Sequence, residues 1–121
     1  MYKWVKSNTS LMIVTIYPSN LTLNSLAAEY FENIRWCMIG IDNKGMKLAI
    51  KPVTKREVDL KVFPSENLHK VSIGKGYARI SSKNIINELS ELLNLNLDGH
   101  KFNCDFDERE KLLIVDLKQP V

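Results

Sequence analysis

A short pattern occurs twice in this chain at a constant spacing. Val14-Thr15-Ile16, six residues, then Leu23-Asn24-Ser25 recurs 57 positions later as Val71-Ser72-Ile73, six residues, then Ile80-Ser81-Ser82. Each copy leads into a helix-like stretch, a strand holding a cysteine, and an aspartate turn followed by Lys-Leu-x-Ile: Asp42 to Ile50 in the first, Asp107 to Ile114 in the second. A strand-helix-hairpin unit of this size cannot bury its own apolar face, so the two copies are expected to share one core. A length of 121 residues with 45% hydrophobic composition suits one domain, 1–121, with pseudo-repeats at roughly 11–53 and 68–118.

Leu11 to Ile16 reads as a strand buried on both faces, ended by Pro18-Ser19-Asn20, with a short second strand at Leu21 to Leu23. Asn24 or Ser25 then offers an N-cap for a helix through about Asn33, with Leu26, Ala27, Tyr30, Phe31 and Ile34 at helical spacing. Arg35 to Ile41 and Met46 to Ile50 form a hairpin across Asp42-Asn43-Lys44-Gly45, whose Asn and Gly accept positive φ, and Pro52 closes the second strand. From Glu57 to Phe63 the alternation of Val58, Leu60 and Val62 with Asp59 and Lys61 predicts a half-exposed strand.

Leu68 to Ile73 and Tyr77 to Ile80 flank a break at Gly74-Lys75-Gly76. Ser81 or Ser82 caps the clearest helix, through about Asn94, with Ile85, Ile86, Leu89, Leu92 and Leu93 on one face. Burying each of those side chains is worth roughly 1.5 to 3 kcal/mol, which makes this helix part of the core. A last hairpin joins His100–Phe106 to Lys111–Leu117. The expected fold is therefore α+β: two pseudo-repeated strand-helix-hairpin units in a mainly antiparallel sheet, or two facing layers, with two main helices covering the apolar faces.

The apolar N-terminal stretch is far shorter than the roughly 18 residues a membrane span needs, so neither a span nor a signal peptide is expected. With only Cys37 and Cys104, both set at comparable places in apolar strands, the reading is cytoplasmic, with two buried thiols and no disulfide. His69 and His100 lack the paired spacing of a zinc site, and the acidic turn Asp105 to Glu110 lacks the glycine and distal glutamate of an EF-hand. No catalytic, metal or cofactor site is assigned.

Rear-half residues Arg79-Ile80-Ser81-Ser82, the helix, Leu95-x-Leu97-Asp98-Gly99, Lys101-Phe102 and Leu113-Ile114 resemble the layout of AbrB and MraZ-type swapped-hairpin domains. The resemblance implies an oligomeric transcription regulator that touches DNA with basic residues of its sheet and loops. Ser81-Ser82 replaces the proline that usually opens the helix of those domains, and no family contact residue is carried over.

The charge itself is unevenly placed. Residues 44–83 carry ten basic and three acidic side chains, whereas residues 84–121 carry four basic and eight acidic. Lys75, Tyr77 and Arg79, at alternate strand positions, are expected to project together, with Lys70 and Lys83 nearby, as cations straddling phosphates around a stacking ring. Opposed to this stands a solvated sheet face whose lysines suppress edge pairing. The leading expectation is a small non-enzymatic nucleic-acid-binding or transcription-regulatory protein that contacts DNA or RNA. The alternative is an interaction or assembly module, and exposed strand edges predict a homodimer in either case. Trp36 is expected to be mostly buried; an exposed Trp4 would mark a partner surface.

Overall fold

The computed structural model describes residues 1–2 and 11–121. Its eight strands are β1 (Ile13–Ile16), β2 (Asn20–Leu23), β3 (Trp36–Asp42), β4 (Lys47–Val53), β5 (His69–Gly74), β6 (Tyr77–Ser81), β7 (His100–Asp107) and β8 (Leu112–Pro120). They close into an antiparallel barrel in the order β1-β2-β6-β5-β3-β4-β8-β7, with β7 returning to β1. The α+β expectation, with two main helices over an open sheet or two layers, is thus corrected to a barrel with small helices. A period-2 pattern shows that one face of a sheet is apolar, but an eight-stranded sheet satisfies it equally well by curling that face inward until the side chains fill the interior.

The interior is built that way. Val14, Ile16, Leu21, Leu23, Cys37, Leu48, Ile50, Val71, Ala78, Ile80, Phe102, Leu113 and Val115 are all buried, and among the described residues no polar or charged side chain joins them. Neither β1 nor β8 is buried on both faces. In β1, Val14 and Ile16 point inward while Ile13 and Thr15 are half-buried; in β8, Leu113 and Val115 are core and Leu112 and Ile114 are not.

Pairing registers repeat between the halves. Val14 opposes Leu23 as Val71 opposes Ile80, and Asp42 opposes Lys47 as Asp107 opposes Leu112. Both aspartates shape their turns identically: Asp42 Oδ1 accepts from the N–H groups of Lys44 and Gly45, and Asp107 Oδ1 from those of Arg109 and Glu110. The turn residues with positive φ are Met46 (54°) and Lys111 (57°), not the Asn43 or Gly45 expected from composition. In this register Cys104 corresponds to Ile39 rather than to Cys37, so the cysteines do not occupy comparable places. β4 also runs through Pro52, which opposes Cys37, instead of ending before it.

β2 and β6 are antiparallel neighbours, so the helices that follow them leave from opposite ends of the barrel. At one end α1 (Ser25–Ala28) gives way to a 3-10 turn over Glu29–Phe31, far short of a helix to Asn33, which itself has φ 63°. Phe31 and Ala27 plug that end. Asn24 is the pivot: its Oδ1 accepts from Ala27 N and from Ile13 N, and its Nδ2 donates to Leu11 O at 2.7 Å, tying the helix start to β1.

Crossing outside the wall, the segment between β4 and β5 contains α2 (Lys55–Asp59) and not the strand expected over 57–63. A capping box decides it, since Thr54 Oγ1 accepts from Glu57 N while Glu57 Oε1 accepts from Thr54 N. At the other end sits α3 (Lys83–Leu93), capped by Ser82 and ended by Asn94 in the left-handed region. Ile85, Ile86 and Leu89 are buried, and Leu92 and Leu93 pack against the same core.

Candidate nucleic-acid interface

Ring order decides where the charge goes. The basic stretch 44–83 supplies β4, α2, β5 and β6, which with β3 make one contiguous wall, and the acidic stretch supplies α3 and the neighbouring pair β7 and β8. Lys47 opposes Asp116 where the walls meet, and Lys51 Nζ donates to Glu110 O at 3.0 Å. Lys51 is thus tied to the turn of the acidic hairpin and Lys47 borders it, whereas the β6-β5-β3 side lies away from that hairpin.

On β6, inward Ala78 and Ile80 alternate with exposed Tyr77, Arg79 and Ser81. The Arg79 guanidinium carbon lies 5.5 Å from the Tyr77 ring centroid, within cation–π range. That ring lies over Gly74, where any β-carbon would collide with it. Arg79 stands opposite Thr22 on one side and Ser72 on the other, making a polar row across β2, β6 and β5. Beside it Tyr17, Asn20, Thr22, Tyr77 and Arg79 line a shallow groove of about 470 Å³.

Lys70, exposed on β5, is the direct ladder partner of Trp36. Trp36 is 36% exposed rather than mostly buried, because it falls on the outward phase set by buried Cys37. Next to it Arg35, Lys55 and Asn33 complete a second polar region, with Val58 and Asp59 of α2. Of the five residues expected to act together, Lys70, Tyr77 and Arg79 share this wall. Lys75 occupies the two-residue turn between Gly74 and Tyr77, so strand alternation does not align it with them, although it is close in sequence. Lys83 is set apart as the first residue of α3. Arg35, Trp36 and Lys55 were missed; the Arg35-Trp36 pair at a strand start was the available signal.

Other expected constellations fare differently. Burial pushes the Cys37 thiol up to about 12, and burial with Asp105 alongside does the same to Cys104. Both cysteines are free. His69 opposes Cys37 in the β3–β5 ladder, yet among the described residues no hydrogen bond joins them, and the acidic turn belongs to the β7–β8 hairpin. His100 is half-buried, its Nδ1 accepting from Asp98 N at 3.1 Å. Trp4 lies outside the described residues.

No protein-family model, curated protein or solved structure matches the chain. Among the described residues no helix is long and apolar enough to cross a membrane.

Proposed function

We propose that this protein is a small, non-enzymatic nucleic-acid-binding barrel, cytoplasmic and regulatory in role, that uses its β6-β5-β3 wall. One observation carries the reading: the Arg79 guanidinium lies over the Tyr77 ring beside Ser72, and Lys70 is the ladder partner of Trp36 on the adjoining strands, so cations and exposed rings alternate on one surface. Phosphates are drawn by the cations, and the rings offer stacking faces that tolerate any sequence. Two unpaired thiols held in the core accord with a reducing compartment.

The test is binding of labelled DNA and RNA across a salt series. Affinity should fall linearly on a log–log plot, and the double substitution Lys70→Glu with Arg79→Glu should abolish binding. Undiminished affinity for both nucleic acids in that double variant would overturn the proposal.

A second reading is favoured by the segregation of charge between walls. The basic wall of one copy could meet the acidic β7–β8 hairpin of another, giving a homodimer or assembly module. Barrel closure withdraws the free sheet edges that first suggested dimerisation, so this reading stands on charge. It expects salt-sensitive self-association in sedimentation and a purified protein free of nucleic-acid absorbance.

A further inference from the structure

The two halves differ where the second-repeat strand β5 meets β3. Its counterpart seam, β1 against β7, is zipped over four residue pairs from Ile13–Asn103 to Ile16–His100, and Cys104 N adds a bond to Met12 O. By the repeat register Val71 should face Cys37, as Val14 faces Phe102. Instead His69 faces Cys37, a slip of two residues. Only Trp36–Lys70 and Cys37–His69 pair, and a single bond from Val71 N to Arg35 O follows before the chains part.

Between them opens a cavity of about 490 Å³, lined on one side by Glu32, Asn33, Ile34 and Arg35 and on the other by β5 from Lys70 to Ile73. A neighbouring cavity of about 270 Å³ shares Asn33 and Arg35 and reaches Trp36 and Lys55. The larger volume lies within the range of small-ligand sites, about 300 to 1,000 Å³.

Resting on the nucleic-acid reading above, we infer that this half-open seam receives an unstacked base, and that the ligand is therefore a single strand rather than a duplex. The lining has the parts such a pocket needs. They are divided between the two adjoining cavities: Asn33, which donates and accepts hydrogen bonds, and Arg35, a planar cation, border both, Ser72 borders the larger, and Trp36 offers a ring to stack on from the smaller. Base edges of that kind are free only when the base is unpaired. Three cations, Arg35, Lys55 and Lys70, stand against Glu32 and Asp59, leaving the mouth attractive to a phosphate.

Two of the elements that could enter a duplex groove are acidic. Reading a major groove takes a helix or a two-stranded ribbon. The only helix longer than five residues among those described is α3, which exposes Glu88 and Glu91, and the β7–β8 ribbon ends in an acidic turn. Both would repel the backbone. From Tyr77 and Arg79 on β6, across β5, to Trp36 on β3, the wall instead gives an extended strand a continuous track.

Fluorescence of Trp36 tests this directly. In a Trp4→Phe chain, which keeps Trp36 as its one indole, a single-stranded oligonucleotide of about 16 nucleotides should quench emission saturably, and the same sequence as a duplex should not. Trp36→Ala should weaken single-strand binding about tenfold, measured by anisotropy, with barrel content checked by circular dichroism. If the single strand binds by anisotropy yet leaves Trp36 unquenched, or if the duplex quenches equally, the seam is not a base pocket although the basic wall still binds. If neither nucleic acid binds, the wall itself has been misread and the pocket falls with it.

Discussion

The ring of Tyr30 lies 3.9 Å from that of Phe106 and within 5° of parallel, joining the helical plug of the first half to the hairpin of the second. The converse arrangement closes the other end, where Leu92 of α3 and Ile41 of the first hairpin line one cleft. Ile41 and Phe106 are equivalent in the repeat register, so each half's helical segment lies beside the other half's hairpin.

Stacked aromatic pairs are worth about 0.5 to 1.5 kcal/mol beyond the area they bury. A double-mutant cycle of Tyr30→Leu and Phe106→Leu, followed by urea unfolding, should return a coupling energy of that size. Additive single effects would show that the stack contributes only burial.

Asn24 and Ser82 both cap helices, yet they carry unequal loads. Ser82 makes a single cap bond to Ile85 N at 3.4 Å, whereas Asn24 holds Ala27 N, Ile13 N and Leu11 O together. Ser82→Ala should cost about 1 kcal/mol and Asn24→Ala about 2, the upper end for cap residues. Equal losses in denaturant titrations would mean that the tie to β1 adds nothing.

Burial lowers the pKa of His69 below its usual 6.5. As pH falls, the unfolded chain takes up the proton first, so stability is complete above about 6.5 and is lost as pH falls through the folded-state value. The His69→Gln protein should lose less melting temperature than the parent between pH 7 and pH 5. Parallel pH profiles would show that His69 does not contribute.

With both thiol pKa values raised to about 12, thiolate is scarce at neutral pH. Cys37 and Cys104 should resist a chromogenic thiol reagent at pH 8 in the folded protein and react together in urea. Fast reaction of either under native conditions would contradict its place in the core.

Parts of this architecture could be read from residues and parts could not. The Val14 and Val71 motifs mark inward positions because apolar residues alternate around them, and the two aspartate turns announce themselves by sequence. Barrel closure could not be read, since alternation fixes which face is dry but not whether β1 finds β7 or an open edge. The signal for α2 was present in Thr54-Lys55-Arg56-Glu57, but the alternation of Val58, Leu60 and Val62 outweighed it. The structure leaves Leu60 and Val62 exposed. Trp36 stands beside Cys37 at a strand start, and that adjacency puts it on the opposite phase from the buried cysteine, facing outward. As for the candidate surface, Tyr77 and Arg79 follow from simple alternation. Arg35 borders the seam that the two-residue slip opens and Lys55 the neighbouring cavity from α2, and no local pattern encodes either placement.

The β1–β7 seam also has a kinetic consequence. Val14 must wait for Phe102 before its strand gains a second neighbour, and contacts so distant along the chain form slowly because a long loop must first be closed. During synthesis the outer edge of the β1–β2 hairpin therefore stays unpaired until β7 has left the ribosome. An unpaired strand edge is a template for pairing with other chains, so the wait for β7 is an interval of exposure to aggregation.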